Sequence, residues 1–249
     1  MNNHRSLALF IVLLSLLFST QAQVCVSHRI IIGEAPDNSL EGLDLAIAQS
    51  VAGIEFDVQF TRDGVPVLYH DSKLGEELLG ESCPHGKAIR KLDFENINHQ
   101  CFLTNGESLP LFRHALERLS SFKGHLFIDL KQKASDQFFI EMENSSLLSH
   151  PKLKFLSFKK RALRPLRKRW PNTRAILLSR YIPRGFFYDG VGFNKRLRLL
   201  APFFGKIGKE TALWTMNSRI DIEVARKKQV DFIITDQYDR CVEQVSGKN

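Results

Sequence analysis

The residues best placed to do chemistry lie in Gly53 to Asp71, which reads GIEFDVQFTRDGVPVLYHD. Ile54, Phe56, Val58 and Phe60 alternate with Glu55, Asp57, Gln59 and Thr61, a period of two that predicts a strand with one apolar and one polar face. Glu55 and Asp57 share the polar face, with their Cα atoms roughly 6.5–7 Å apart. Two acidic arms at that spacing can converge on one hard cation, whose oxygen ligands sit at about 2.0–2.6 Å. A strand whose polar face simply meets water shows the same alternation, so the pair takes its meaning from its company. That company is His28-Arg29, His70-Asp71 and the Asp129/Lys131 pair, groups that titrate near neutrality beside fixed charges.

These residues need elements to hold them. Val24 to Arg29 reads as a strand ending in His28-Arg29, followed by a Gly33–Asn38 loop and a helix from Leu40 to about Gln49, capped by Asn38 or Ser39. The Gly53–Phe60 strand ends at the Asp63-Gly64 turn, and a short apolar run, Val65 to Tyr69, delivers His70-Asp71. Residues 71–108, with two cysteines and Gly75, Gly80, Gly86 and Gly106, read as an insertion. Helical periodicity covers Leu109 to Phe122 and Phe138 to Leu148. Further strands are His125–Lys131, with Asp129 and Lys131 on one face, then Leu153–Phe158, Arg174–Leu178, Gly190–Phe193, Ala212–Met216 and Val230–Thr235. Eight short strands, mostly separated by helices, predict parallel βα units, and the simplest closed solution is a (β/α)8 TIM barrel. His28, Glu55, Asp57, His70, Asp129, Lys131 and Asp236 then fall at or near the strand ends, on the rim where such barrels build active sites.

With 249 residues and 43% hydrophobic content, the chain suits one large domain, 23–249. Its formal charge of +8 favours phosphate or an anionic surface as partner, and charge alone is too little to support nucleic-acid binding. Residues 1–22 resemble a signal peptide: His4-Arg5, an apolar run from Leu7 to Phe18, then Thr20 and Ala22 at a cleavage site. Export is therefore expected, with an uncleaved N-terminal anchor as the second outcome. Four cysteines fit an oxidising compartment. A Cys83–Cys101 bridge would pin the insertion, whereas nothing in the sequence pairs Cys25 with Cys241. Lys159 to Trp170 reads as a basic helix, solvated outside and with Leu163, Leu166 and Trp170 facing the barrel; contact with an anionic membrane is its sharper alternative.

Taken in order, the motifs carry a resemblance. His28-Arg29-Ile30 and Glu34-Ala35-Pro36-Asp37-Asn38-Ser39 open the chain, Glu55-Phe56-Asp57 follows, and Thr61-Arg62-Asp63-Gly64-Val65-Pro66-Val67 leads to His70-Asp71. Leu109-Pro110-Leu111, Ile128-Asp129-Leu130-Lys131, Ser157-Phe158, Trp214-Thr215-Met216-Asn217 and Asp231 to Asp236 complete the series. The series resembles the glycerophosphodiester phosphodiesterase family, (β/α)8 enzymes that cleave phosphodiesters of glycerol with a divalent cation. The family's opening His-Arg-Gly and Glu-Asn-Thr differ here at Ile30 and Asp37, and Asp129 stands where its third strand carries Glu. Lys73, Gly75 and Glu76 occupy the place of the Arg and Thr usual after His-Asp. These departures are expected to alter substrate preference more than to abolish activity.

The resemblance implies Glu55, Asp57 and Asp129 as ligands of Mg²⁺ or Ca²⁺. Arg29 and Lys131 would bind phosphate oxygens, and Trp214 would wall the substrate pocket. His28 and His70 are the expected acid and base, in an order the sequence leaves open. It further implies attack by the glycerol 2-hydroxyl on phosphorus, through a cyclic phosphate, to give glycerol 3-phosphate and an alcohol. Two other readings stand beside this one. One is a phospholipase D-like enzyme releasing a cyclic phosphate from lysolipids or sphingolipids, and the other a barrel that binds phosphate without turnover. His85, His99, His114, His125 and His150 read as structural.

Overall fold

The computed structural model describes residues 23–181 and 185–247, so the export segment expected at 1–22 lies outside the described residues. Eight parallel strands close into a barrel: β1 (Val24–Ser27), β2 (Gly53–Phe60), β4 (His125–Leu130), β5 (Leu153–Ser157), β6 (Arg174–Ser179), β7 (Gly190–Asn194), β8 (Glu210–Trp214) and β9 (Phe232–Thr235). β1 pairs with β9 along its length, from Val24↔Phe232 to Ser27↔Thr235, but meets β2 only at Ser27↔Ile54. Above that point a ninth strand, β3 (Pro66–Leu68), runs antiparallel on β2 and fills the seam. The expected TIM barrel is therefore present, with one extra strand.

The alternation in β2 sorts its side chains by layer. Ile54, Phe56, Val58 and Phe60 point outward into a large cluster beneath the helices, with Phe112 and Phe138 fully buried among them. Burying each such phenyl ring contributes about 1.5–3 kcal/mol. The helices concerned are α1 (Leu40–Ala48), α3 (Phe112–Leu119), α4 (Asp136–Asn144) and α5 (Lys160–Arg169), a short α2 (Glu95–Asn98) lying in the insertion. Ser39 caps α1 by accepting from the Gly42 amide at 2.9 Å. Leu163 and Leu166 of α5 are buried, and Trp170 stacks against Phe155, as expected of the inner face of that basic helix.

The barrel interior is a packed core of Val26, Phe127, Leu156, Ile176, Ala212 and Phe232. Its floor is Lys154, 4.9 Å above the Phe232 ring and 3.6 Å from Glu210. Burial and the Lys154 charge push His125 down to about 4, consistent with a structural, uncharged imidazole. His85 and His150 likewise bond backbone carbonyls, of Gly75 and Phe122. Above this plug, polar side chains enter the barrel again at the rim.

Several boundaries move from their expected places. The first strand stops at Ser27, and His28–Ile30 forms a 3₁₀ turn in which Arg29 and Ile30 take φ of 52° and 57°. The helix expected from Leu109 starts at Phe112, because Leu109-Pro110-Leu111 is extended: the Pro110 carbonyl accepts from Leu68 and Leu111 bridges Val67. Among the described residues no helix separates β6 from β7. Residues 71–108 hold a small core of their own (Leu74, Leu78, Ile89, Ile97 and Leu103), stapled by the expected Cys83–Cys101 bridge. Cys25 and Cys241, left unpaired by the sequence reading, also form a disulfide. Closure of the barrel explains it, since the last helix (Tyr238–Ser246) folds back over β1 and covers a separation of 216 residues. No helix of the described residues is long and apolar enough to cross a membrane.

Candidate active site

The inward face of β2 carries Glu55, Asp57 and Gln59 to the rim, and strand register supplies the third acid. Asp57 pairs directly with Asp129 of β4, so both carboxylates emerge side by side at one level. One oxygen each from Glu55, Asp57 and Asp129 lies within 4.8 Å of the others, and all three residues are buried. Three carboxylates this close would repel in a low-dielectric setting, and the surroundings show how the charge is managed. Lys131, two residues beyond Asp129 on the same face, places Nζ 2.5 Å from Asp57 Oδ1 and 2.5 Å from Asp129 Oδ2. Burial works against the Lys131 ammonium, yet Asp129 and Asp57 hold it firmly charged.

The loop after β1 closes the other side. The Arg29 amide donates to Glu55 Oε2 at 3.0 Å, while its guanidinium donates to Asp37 at 3.1 Å and sits 3.8 Å from Asp57. Asp37 thus orients Arg29 and stands outside the acidic trio. Asn38 is fully buried and reads Asp57 twice, donating to Oδ2 at 3.0 Å and accepting from the Asp57 amide at 2.9 Å. Its φ of 58° is a conformation that Asn tolerates better than most residues. Ile30, which departs from the family's Gly, turns its side chain away from the cleft into the outer core with Leu43, where it is fully buried.

Both expected histidines reach the cleft, each with a carboxylate behind it. His28 Nδ1 lies 2.6 Å from Asp236, whose other oxygen accepts from Asn217 at 2.6 Å. His70 Nδ1 lies 2.6 Å from Asp71, in a loop held by Gln59, which donates to the carbonyls of both residues. Their environments diverge. Burial opposes a charge on His28, but the Asp236 bond and the nearby Glu55 outweigh it and raise its pKa. Burial lowers that of His70, and the Lys131 and Arg29 charges add to the effect beyond what Asp57 restores. Glu55 is pushed up to about 7 by burial and by the charge of Asp57. Asp57 is held below the usual carboxylate range despite its burial, by Lys131, His70 and the Asn38 bond.

These residues surround a cavity of about 200 Å³ whose wall includes His28, Glu55, His70, Asp129, Lys131 and Trp214. Trp214 packs edge-on against Phe158 at 5.2 Å, and its Nε1 has no hydrogen-bond partner. The donor set fits a divalent cation: three oxygen ligands on rigid strands, with Asp129 Oδ1 buried and without a hydrogen-bond partner. Of the site residues expected from sequence, His28, Arg29, Glu55, His70, Asp129, Lys131 and Trp214 line this cavity, and Asp57 lies buried beside it, held by Lys131 and Asn38. Sequence reasoning missed Asn38, read there as a helix cap, and placed Asp236 at the rim without naming a partner for it. It also gave Asn217 no part in orienting a histidine.

The sequence profile of the glycerophosphoryl diester phosphodiesterase family matches residues 28–180, which span the acidic trio and both histidines. The chain belongs to this family. Over 243 residues it is 28% identical to YhdW of Bacillus subtilis (strain 168), a protein named for the same activity, covering 90% of this chain and 98% of YhdW. A solved glycerophosphodiester phosphodiesterase from Parabacteroides distasonis superposes with a TM-score of 0.79 at 21% identity, covering 92% and 98% of the two chains. An Oleispira antarctica phosphodiesterase, solved with the product sn-glycerol-3-phosphate, gives 0.71 at 22% identity, covering 93% and 99%. As a family member the chain is a glycerophosphodiester phosphodiesterase on a TIM barrel.

Proposed function

We propose that the chain is an exported, metal-dependent glycerophosphodiesterase that releases glycerol 3-phosphate and an alcohol. The observation that carries this is the buried trio of Glu55, Asp57 and Asp129, with Arg29, Lys131 and two carboxylate-backed histidines around one cavity. The product seen in the Oleispira antarctica relative supports glycerol 3-phosphate as one half of the substrate. When bound by the trio, Mg²⁺ or Ca²⁺ supplies positive charge to a non-bridging phosphoryl oxygen.

The chain's own residues do the rest. Arg29 presents a planar fork and Lys131 a compact charge to the phosphate, which offsets the anionic repulsion that protects a diester from attack. His70, kept neutral, accepts the proton of the glycerol 2-hydroxyl as its oxygen forms a bond to phosphorus. His28, kept protonated by Asp236, donates to the alcohol oxygen as the phosphorus–oxygen bond to the headgroup breaks, leaving a cyclic phosphate. His28 then takes a proton from the water that attacks phosphorus, and His70 returns its proton to the 2-oxygen as the ring opens to glycerol 3-phosphate. Trp214 and Phe158 wall the cleft.

Export is supported by the signal-like composition of residues 1–22 and by two disulfides that join all four cysteines. A second reading, cleavage of lysolipids at an anionic membrane, draws on exposed Tyr181, Phe187, Leu199 and Phe203, the last two in a segment that also carries Lys195, Arg196, Arg198 and Lys206. Product analysis separates the two. Purified protein lacking residues 1–22 should release glycerol 3-phosphate from glycerophosphocholine. Turnover of lysophosphatidylcholine alone, with a cyclic lysophosphatidate as product, would replace the first reading with the second.

A further inference from the structure

The catalytic cavity opens sideways into a larger one of about 890 Å³, and the two share His70, Lys131, Phe158, Leu178 and Arg180. Arg90 of the insertion, Lys159 to Arg161 at the start of α5, and Arg180 after β6 all line this second space. Asp71 is its one carboxylate, and that group faces His70. Elsewhere on the surface some arginines pair with acids, as Arg62 does with Asp93 and Arg169 with Glu143. Among the described residues, none of Arg90, Lys160, Arg161 and Arg180 has a carboxylate within salt-bridge reach. Arg180 instead lies over the Phe158 ring at 5.0 Å, which fixes its plane and leaves its edge free for oxygen acceptors.

Like charges converging on one concave wall concentrate a positive field there, and a bound anion relieves their repulsion. The position identifies which part of a substrate would provide it. With the glycerol phosphate held between the trio and Trp214, the second cavity is the room left for the alcohol on the other side of the scissile bond. We propose that this cavity is a leaving-group subsite selecting glycerophosphodiesters whose alcohol carries a further phosphate. The proposal rests on the phosphodiesterase reading above. A cationic alcohol such as choline finds no carboxylate here other than Asp71, whereas a phosphorylated polyol can accept hydrogen bonds from three arginines and the neighbouring lysines.

The test compares kcat and KM for glycerophosphoglycerol against its terminally phosphorylated form, and for glycerophosphoinositol against glycerophosphoinositol 4-phosphate. The wild type should favour each phosphorylated substrate by tenfold or more in kcat/KM, chiefly through KM, with the advantage shrinking as salt rises. Arg90→Gln and Arg161→Gln should bring the ratio toward one while leaving kcat on the unphosphorylated partner unchanged. Preference for only the inositol or only the glycerol pair would assign the subsite to that polyol phosphate. A wild-type ratio of one or below for both pairs, or equal losses on both members of a pair in the variants, overturns the proposal. If no substrate is turned over, calorimetry with inositol 4-phosphate decides separately. Binding lost in Arg161→Gln keeps the subsite while refuting the phosphodiesterase reading, and absence of binding refutes the subsite.

Discussion

His28 and His70 show how single residues acquire roles from what stands behind them. Both are imidazoles bonded at Nδ1 to a carboxylate, and burial opposes a charge on each; at His28 the Asp236 bond and Glu55 outweigh it, whereas at His70 the Lys131 and Arg29 charges add to it, so their proton affinities part. Their assigned roles predict different responses to the leaving group. With a p-nitrophenyl ester of glycerol phosphate, whose leaving group needs no proton, His28→Ala should recover most of its activity. His70→Ala should stay impaired by about 10²–10⁴-fold, the usual worth of a positioned base. The reverse pattern would exchange the two roles. Glu55 gives a second prediction. Its carboxyl is pushed up to about 7 by burial and Asp57, so in the metal-free protein it holds a proton below that pH. A cation must displace that proton, so affinity should rise about tenfold per pH unit up to about 7 and level off above. The stability sign is opposite: a raised carboxyl contributes stability at low pH that is lost as pH climbs toward 7. Metal-free protein should therefore weaken over that range in thermal melts, and added cation should offset the loss. Residues of this kind were legible in sequence when they sat in strand-end motifs, as Glu55, Asp57 and Asp129 do. Asn38 was not, because a polar residue before a helix reads first as a cap, and its left-handed φ is set by the loop it closes.

Elements were legible to the extent that their patterns are local. The period of two in Gly53–Phe60 gave both the strand and its two layers, apolar outward and acidic inward, and the observed limits agree. Local pattern could not reveal the 3₁₀ turn at His28–Ile30, which the cleft imposes by drawing the Arg29 amide onto Glu55. Nor could it reveal the Cys25–Cys241 bridge, a consequence of barrel closure bringing the last helix over the first strand. That bridge closes nearly the whole described chain. In the chain-entropy account a loop of this length contributes on the order of 5 kcal/mol. Replacing both cysteines with alanine should then lower Tm by roughly 10 °C, as read by calorimetry under oxidising conditions. An unchanged Tm would mean that the contacts of the last helix already fix it on β1.

For the whole molecule, the fold was legible because eight strand patterns with polar residues at their ends admit few closed solutions. The distribution of charge was not. A formal +8 says nothing of where cations gather, and only the folded chain brings Arg90, the start of α5 and Arg180 around one space beside the cleft. The account's central claim is that β2 and β4 together hold a divalent cation that the cleft needs for hydrolysis. Its most direct test is glycerophosphocholine hydrolysis and calorimetric cation binding, on chelator-stripped protein titrated with Mg²⁺ and Ca²⁺, beside Asp129→Asn and Asp57→Asn. The account predicts that stripping abolishes turnover and that one cation restores it with a stoichiometry of about one. Each variant should lose both binding and at least about 10² of the rate. Full turnover in stripped protein, or cation binding undiminished in both variants, would contradict it.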